Sequence, residues 1–286
     1  VNATNNKTRK SFENKHLQLA VQEDISSLIA LVHMYETGYM GGVPNEQEVN
    51  NWRRKMFDRL QELLVVKGWE SWSKLQLASI YETGCSGIAP NKEEAIKLRR
   101  EVFDGYQKAA EKGRPYFKYR LAEMYYKGDS VEQDKEKASQ LFHEAFESFQ
   151  KSAKKGDLFA QFLIGLMYYQ GFGVKQDYTQ AKEWFEKAAA NPNELNATYY
   201  LGKIYEHGHG VPQDYAAARK WYEEGVKRGS SASKSRYRLG WLHEHGLGVP
   251  QNYVQAREWY QGVSPMDSKV FRKAVIRLKW LNGNGH

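Results

Sequence analysis

One short segment recurs six times along the chain, and a repeat of that kind dictates how the chain folds. Leu201-Gly-Lys-Ile-Tyr-Glu-His-Gly208 returns as Leu239-Gly-Trp-Leu-His-Glu-His-Gly246. Earlier copies begin at Leu31, Leu77, Leu121 and Ile164 and close on Gly38, Gly84, Gly128 and Gly171. The apolar residues in each copy fall at helical spacing, and the closing glycine suits a left-handed helix end. A short loop follows, such as Gly208-His-Gly-Val-Pro-Gln-Asp214. Asp134, Asp177 and Asp214, with Asn45, Asn91 and Asn252, then stand where an N-cap side chain accepts orphan amide bonds. A second helix is predicted after each. It carries Ala95, Ala138, Ala181, Ala218 or Ala256, and three residues later Leu98, Leu141, Trp184, Trp221 or Trp259, with Trp52 in the first copy. Each copy is therefore a helical hairpin.

The first helices hold a small column: Ala78, Ala122, Gly165, Gly202 and Gly240, with Val32 as the exception. A mid-helix glycine costs roughly 1 kcal/mol against alanine. Its persistence is read as the close passage of a neighbouring helix backbone.

The pattern Leu-Gly-x-Ile-Tyr-x-x-Gly-x-Gly-Val-x-x-Asp-x-x-x-Ala-x-x-Trp-Tyr resembles the Sel-1-like repeat, a relative of the tetratricopeptide repeat. The resemblance covers about Ser26 to Val263 and is closest from Leu158 onward. It implies an all-α fold, a right-handed α-solenoid of about six helix-turn-helix repeats with a C-terminal capping helix. The expected organisation is a polar N-terminal tether over 1–15, the repeat array over 16–263, and a basic capping helix and tail over 264–286.

The intervals between closing glycines are 46, 44, 43, 37 and 38 residues. The first three exceed the others by about two helical turns. Phe103, Tyr106 and Ala110, and likewise Phe146, Phe149 and Ala153, continue the apolar stripe. The second helices of the first three hairpins are thus predicted to be longer.

A formal charge of +8 favours acidic partners, although Lys and Arg alternate with Asp and Glu almost everywhere. Cys85 is the only cysteine, so the fold needs no internal disulfide. No apolar run is long enough to span a membrane. The chain begins at Val1, which a removed signal peptide or a trimmed sequence would both explain.

Aligned first helices separate core from surface. Leu201, Ile204 and Tyr205 belong to columns that are apolar in every copy. A second set, spaced i, i+3 and i+7 on one side of the helix, varies. It runs Ala30/His33/Thr37, Gln76/Ser79/Thr83, Arg120/Glu123/Lys127, Leu163/Leu166/Gln170, Tyr200/Lys203/His207 and Arg238/Trp241/His245. In repeats of this kind the first helices line the concave side. The last four sets are therefore expected to bind a partner protein in a groove with an apolar middle (Leu163, Leu166, Tyr200, Trp241) and charged flanks. The tail from Val270 to Leu281 is a basic amphipathic helix. Phe271, Val275, Leu278 and Leu281 suit a cap, and anionic lipid is its other reading.

Chemistry finds little purchase. His207, His209, His243 and His245, near Glu206 and Glu244, are metal-ligand types, but they come in pairs from successive repeats. No metal and no cofactor are expected. Ser-x-x-Lys, a motif of penicillin-recognising enzymes, begins at Ser71, Ser148, Ser152 and Ser231 without its companion motifs, so a lactam-hydrolase reading is unfavourable. The aromatics fall in core columns, against nucleic-acid binding. What the resemblance implies is a non-enzymatic, bacterial, protein-binding chain. Immunity against a secreted toxin, such as a phospholipase, is the leading form, and a periplasmic or envelope scaffold the alternative. The expected location is the periplasm, free or as a membrane-anchored lipoprotein.

Overall fold

The computed structural model describes residues 24–38, 43–192, 196–229, 232–264 and 267–284, with separate positions between 10 and 20 and at 194. Its bounded helices are α1 (Ile25–Thr37), α2 (Glu46–Leu63), α3 (Glu70–Thr83), α4 (Lys92–Glu111), α5 (Pro115–Lys127), α6 (Lys135–Lys154), α7 (Leu158–Gln170), α8 (Tyr178–Ala189), α9 (Ala197–His207), α10 (Tyr215–Arg228), α11 (Ala232–His245), α12 (Tyr253–Gln261) and α13 (Ser268–Gly283). Among the described residues no strand of a sheet is formed; Cys85 and Ile88 make an isolated bridge.

The caps act as the sequence anticipates. Asp134, Asp177 and Asp214 accept from Lys137, Gln180 and Ala217 amides at 2.8, 3.0 and 2.9 Å. Asn45, Asn91 and Asn252 accept from Glu48, Glu94 and Gln255 amides at 3.1, 3.0 and 3.0 Å. Gly208 closes α9 at φ +67°, where an L side chain is strained, and its N–H bonds the Ile204 carbonyl. The second helices α2, α4 and α6 have 18, 20 and 20 residues, against 12, 14 and 9 in α8, α10 and α12. Phe103, Ala110, Phe146, Phe149 and Ala153 are buried along the added turns, so the extra length extends the packed face.

The chain divides into two compact units. The first is discontinuous, 1–102 with 263–286; the second is 103–262. In the first, α1 packs on α2 and α2 on α3, and α13 returns to lie against α1. Phe271, Val275, Leu278 and Leu281 are buried there, as a capping helix requires. Most of the expected tether lies outside the described residues. Lys10, Glu13 and Asn14 have helical backbone, and Glu13 accepts from the Tyr35 hydroxyl at 2.5 Å. In the second unit α5 to α12 pack in chain order, each on the next, around a core that includes Phe142, Ile164, Met167, Phe185, Leu201 and Ile204.

The small column has a different cause from the one the sequence suggests. A Cβ on Gly165 would stand 2.7 Å from a ring carbon of Phe185, and one on Gly240 2.7 Å from a ring carbon of Tyr260. On Gly202 it would stand 2.6 Å from Tyr222 Cδ1. An aromatic ring from the second helix of the same hairpin occupies the space, not a neighbouring backbone.

Candidate partner-binding face

The variable columns of α5, α7, α9 and α11 all lie in the second unit. On α5, Arg120 Nη1 donates to Glu123 Oε2 at 2.8 Å, and Lys127 Nζ lies 3.5 Å from Glu123 Oε1. Lys127 stands out to solvent, while Arg120 and Glu123 are half-buried. On α7, Gln170 is exposed and accepts from the Tyr119 hydroxyl at 3.4 Å. On α9, Tyr200 stacks on Phe185 at 5.2 Å and lies 5.6 Å from Tyr169. Burial, with the Glu123 carboxylate beside it, raises the Tyr200 pKa, so its hydroxyl stays protonated as a donor. Lys203 Nζ sits 5.4 Å over Tyr169, a cation–π distance. His207 is exposed, its ring 5.2 Å from His209, and its Nδ1 donates to the Lys203 carbonyl at 2.9 Å. On α11, the Arg238 guanidinium lies 4.6 Å over Trp241, and the Trp241 ring is 4.7 Å from exposed His245.

Two of the expected contact residues are elsewhere. Leu163 and Leu166 are buried, packed into the core cluster with Phe162 and Ile164. The apolar middle of the expected groove is therefore filled by the protein itself. A hairpin in the interior of an array has neighbours on both sides, and those leucines fill the seam between them. What remains is a polar and aromatic face. Arg120, Lys127, Lys203 and Arg238 stand on it against Glu123 and the buried Glu206.

Glu206 is the feature the columns concealed. It is 3% exposed and accepts from the Tyr222 hydroxyl of α10 at 2.6 Å. Arg238 from the next hairpin donates to it through Nε at 2.8 Å and pairs through Nη2 as well. Glu244, one repeat later, is equally buried and accepts from Tyr260 at 2.7 Å. In the first unit Glu36 and Glu82 occupy the same column and take Arg53 at 2.6 Å and Arg99 at 3.0 Å. Tyr126 and Tyr169 hold that column in the third and fourth hairpins, whose second helices carry Phe142 and Phe185. Tyr169 lies 6.4 Å from Phe185, while Tyr126 packs 5.1 Å from Phe172. A glutamate in the first helix thus goes with a donor in the second, and a ring with a ring. That pairing across 16 or 17 residues is the signal by which the sequence could have shown it.

Other chemistry is sparse. Among the described residues no three His, Cys, Asp or Glu side chains converge for a metal ion. His209 stacks on Tyr178 at 4.2 Å, and burial followed by the charges of His207 and Lys203 lowers its pKa. The Ser148 hydroxyl donates to the Glu144 carbonyl within its helix, and Ser231 lies outside the described residues. No described helix is long and apolar enough to cross a membrane.

The Sel1 repeat family model matches residues 73–98, 115–157, 158–193, 195–230 and 233–261. The first hairpin and α13 lie outside those segments. A comparison with curated proteins finds no match. Among solved structures, the chain is similar to a protective antigen of uropathogenic Escherichia coli strains with an SLR fold. The identity is 25% and the TM-score 0.42, over 96% of this chain and 52% of that one. The chain thus spans about half of that structure. It is also similar to a Sel1 repeat protein from Oxalobacter formigenes, at 25% identity and TM-score 0.42, over 90% and 94% of the two chains. An immunity protein from Pseudomonas aeruginosa follows at 15% identity and TM-score 0.40, over 75% and 87%. With its hairpins matched across most of their length, the chain belongs to the Sel1 repeat family.

Proposed function

We propose that this protein is a binding module, not an enzyme, and that the face of α5, α7, α9 and α11 receives an acidic segment of a partner protein. One observation carries this reading. Side-chain contacts link its successive first helices, Tyr119 with Gln170, Tyr169 with Tyr200 and Glu206 with Arg238, and its basic side chains outnumber its acidic ones. Arg120, Lys203 and Arg238 are already held by Glu123, Tyr169, Glu206 and Trp241, so little side-chain entropy remains to be lost on binding. Lys127, Gln170, His207 and His245 provide the exposed contacts. Export to the periplasm, free or lipid-anchored, goes with this reading through the family resemblance and is tested by fractionating the source cells.

The test places a photo-crosslinking residue at Gln170 and captures the partner in the source organism. A Lys127→Glu/Lys203→Glu variant is expected to lose the captured band while keeping its melting temperature. An unchanged band from that folded variant would reject the face. The captured protein then separates two finer forms. If it is a toxin whose activity, for instance on phospholipid, is suppressed by this chain, the protein is an immunity factor. If its activity persists in the complex, the protein is a scaffold.

A further inference from the structure

One column of the second helices divides the two units chemically. In the second unit it holds Phe142, Phe185, Tyr222 and Tyr260, all buried. In the first it holds Arg53 and Arg99. In the small column, Gly165, Gly202 and Gly240 lie beneath rings and Ala122 accompanies Phe142, whereas Val32 and Ala78 stand in the copies that carry arginine. Where α1, α2, α3 and α13 meet, a cavity of about 240 Å³ is lined by Val32 and Arg53 of those columns, with His33, Glu36, Gln76, Ser79 and Arg272 also on its wall.

The wall is chemically organised. The Glu36 carboxylate accepts from His33 Nδ1 at 3.1 Å, Arg53 Nη2 at 2.6 Å and Arg272 Nη2 at 2.9 Å. Two guanidinium groups converge on one carboxylate, and each guanidinium has more donors than that single bond uses. Their fixed charges sum to one net positive charge, to which a protonated His33 would add. A lined cavity of that charge is best balanced by one negative charge, and a dianion would meet the Glu36 carboxylate at close range. Gln76 and Ser79 add neutral donors. We infer that this cavity binds a single carboxylate group, held by Arg53 and Arg272 beside Glu36. The inference is independent of the partner face on the second unit.

The carboxylate could belong to a small free acid or to a peptide C-terminus, and the experiment separates them. In the full chain with nitrogen-15 in its arginines, the Nε–Hε resonances of Arg53 and Arg272 are followed. The titrants are acetate, a blocked dialanine with a free C-terminus, the same dipeptide as its amide, and inorganic phosphate. Saturable shifts with both carboxylates and none with the amide are expected. Tighter binding of the peptide acid than of acetate identifies a chain terminus as the natural source; equal binding identifies a free acid.

Val32→Gly/Arg53→Tyr transplants the residue pair of the fifth hairpin into the first. It fills the cavity, gives Glu36 a hydroxyl donor, and is expected to abolish binding. Arg272→Met, at an exposed position, is expected to weaken binding about tenfold, as loss of one charge-assisted hydrogen bond would. The assignment is overturned by the absence of any saturable shift, by equal binding of the amide, or by phosphate binding tighter than acetate. Unchanged affinity in the double variant overturns it as well. If the double variant does not fold, unchanged affinity in Arg272→Met is decisive.

Discussion

The Tyr222 hydroxyl donates to the Glu206 carboxylate at 2.6 Å, with both residues buried, and Arg238 of the following hairpin holds the same carboxylate. One carboxylate therefore joins the two helices of its own hairpin and the first helix of the next. Such a group is costly to desolvate, so its value lies in fixing register as much as in raw stability.

That arrangement makes the two partners unequal. Tyr222→Phe removes one donor but leaves Glu206 with Arg238, and should cost about 1 to 2 kcal/mol. Glu206→Ala strands a half-buried guanidinium and should cost about 3 to 5 kcal/mol. Urea denaturation of the two variants checks the order. Equal losses would show that Arg238 is not held by Glu206.

Gly202 lies beneath the Tyr222 ring, where an added Cβ would stand 2.6 Å from Cδ1. Gly202→Ala gains roughly 1 kcal/mol of helix propensity and loses about 1 to 3 kcal/mol to overpacking. A net loss is expected in Gly202→Ala. In Gly202→Ala/Tyr222→Leu the ring is gone, so the alanine should cost less there than in the parent. A thermal melt series measures both.

Glu36 responds to acid. Burial alone would raise its pKa, but hydrogen bonds and charge from His33, Arg53 and Arg272 outweigh that and hold it at about 2, below the ordinary 4.5. Because the folded value is the lower one, the stabilisation is complete above pH 4.5 and is lost as pH falls towards 2. The shift corresponds to about 3 kcal/mol. Stability measured across that window should fall more steeply in the parent than in Glu36→Gln. Parallel profiles would contradict the assignment.

Removal of residues 263–286 takes away both Arg272 and the apolar stripe of α13. Hydrogen exchange in α1 should then accelerate about a hundredfold or more, as loss of several buried side chains implies. Exchange in α7 and α9, which belong to the second unit, should change far less. Mass spectrometry of peptides from 24–38 and 158–207 provides the comparison.

Helix ends were legible because their chemistry is local. A glycine at positive φ and an Asp three residues before a free amide need no distant partner, and Gly208 and Asp214 illustrate both. The longer second helices were legible because whole turns preserve the apolar face. Burial in the face was harder to read. Leu163 and Leu166 vary along the copies as surface residues do, yet a seam between hairpins can be filled by a leucine in one copy and bridged by Tyr200 in another. The cause of the glycine column was ambiguous as well, since a ring and a backbone both exclude a Cβ. The Glu206–Tyr222 pairing was present as covarying columns, Glu with Arg or Tyr and Tyr with Phe. It emerges only when the two helices of a hairpin are aligned together.

The first unit is assembled from both ends of the chain, and translation delivers those ends at different times. Residues 103–262 are synthesised before Arg272 exists. Until then Glu36 has only Arg53 and His33, and the side of α1 that α13 will cover is bare. A nascent or truncated chain without 263–286 therefore carries a first hairpin that lacks both a charge partner for Glu36 and the helix that covers α1.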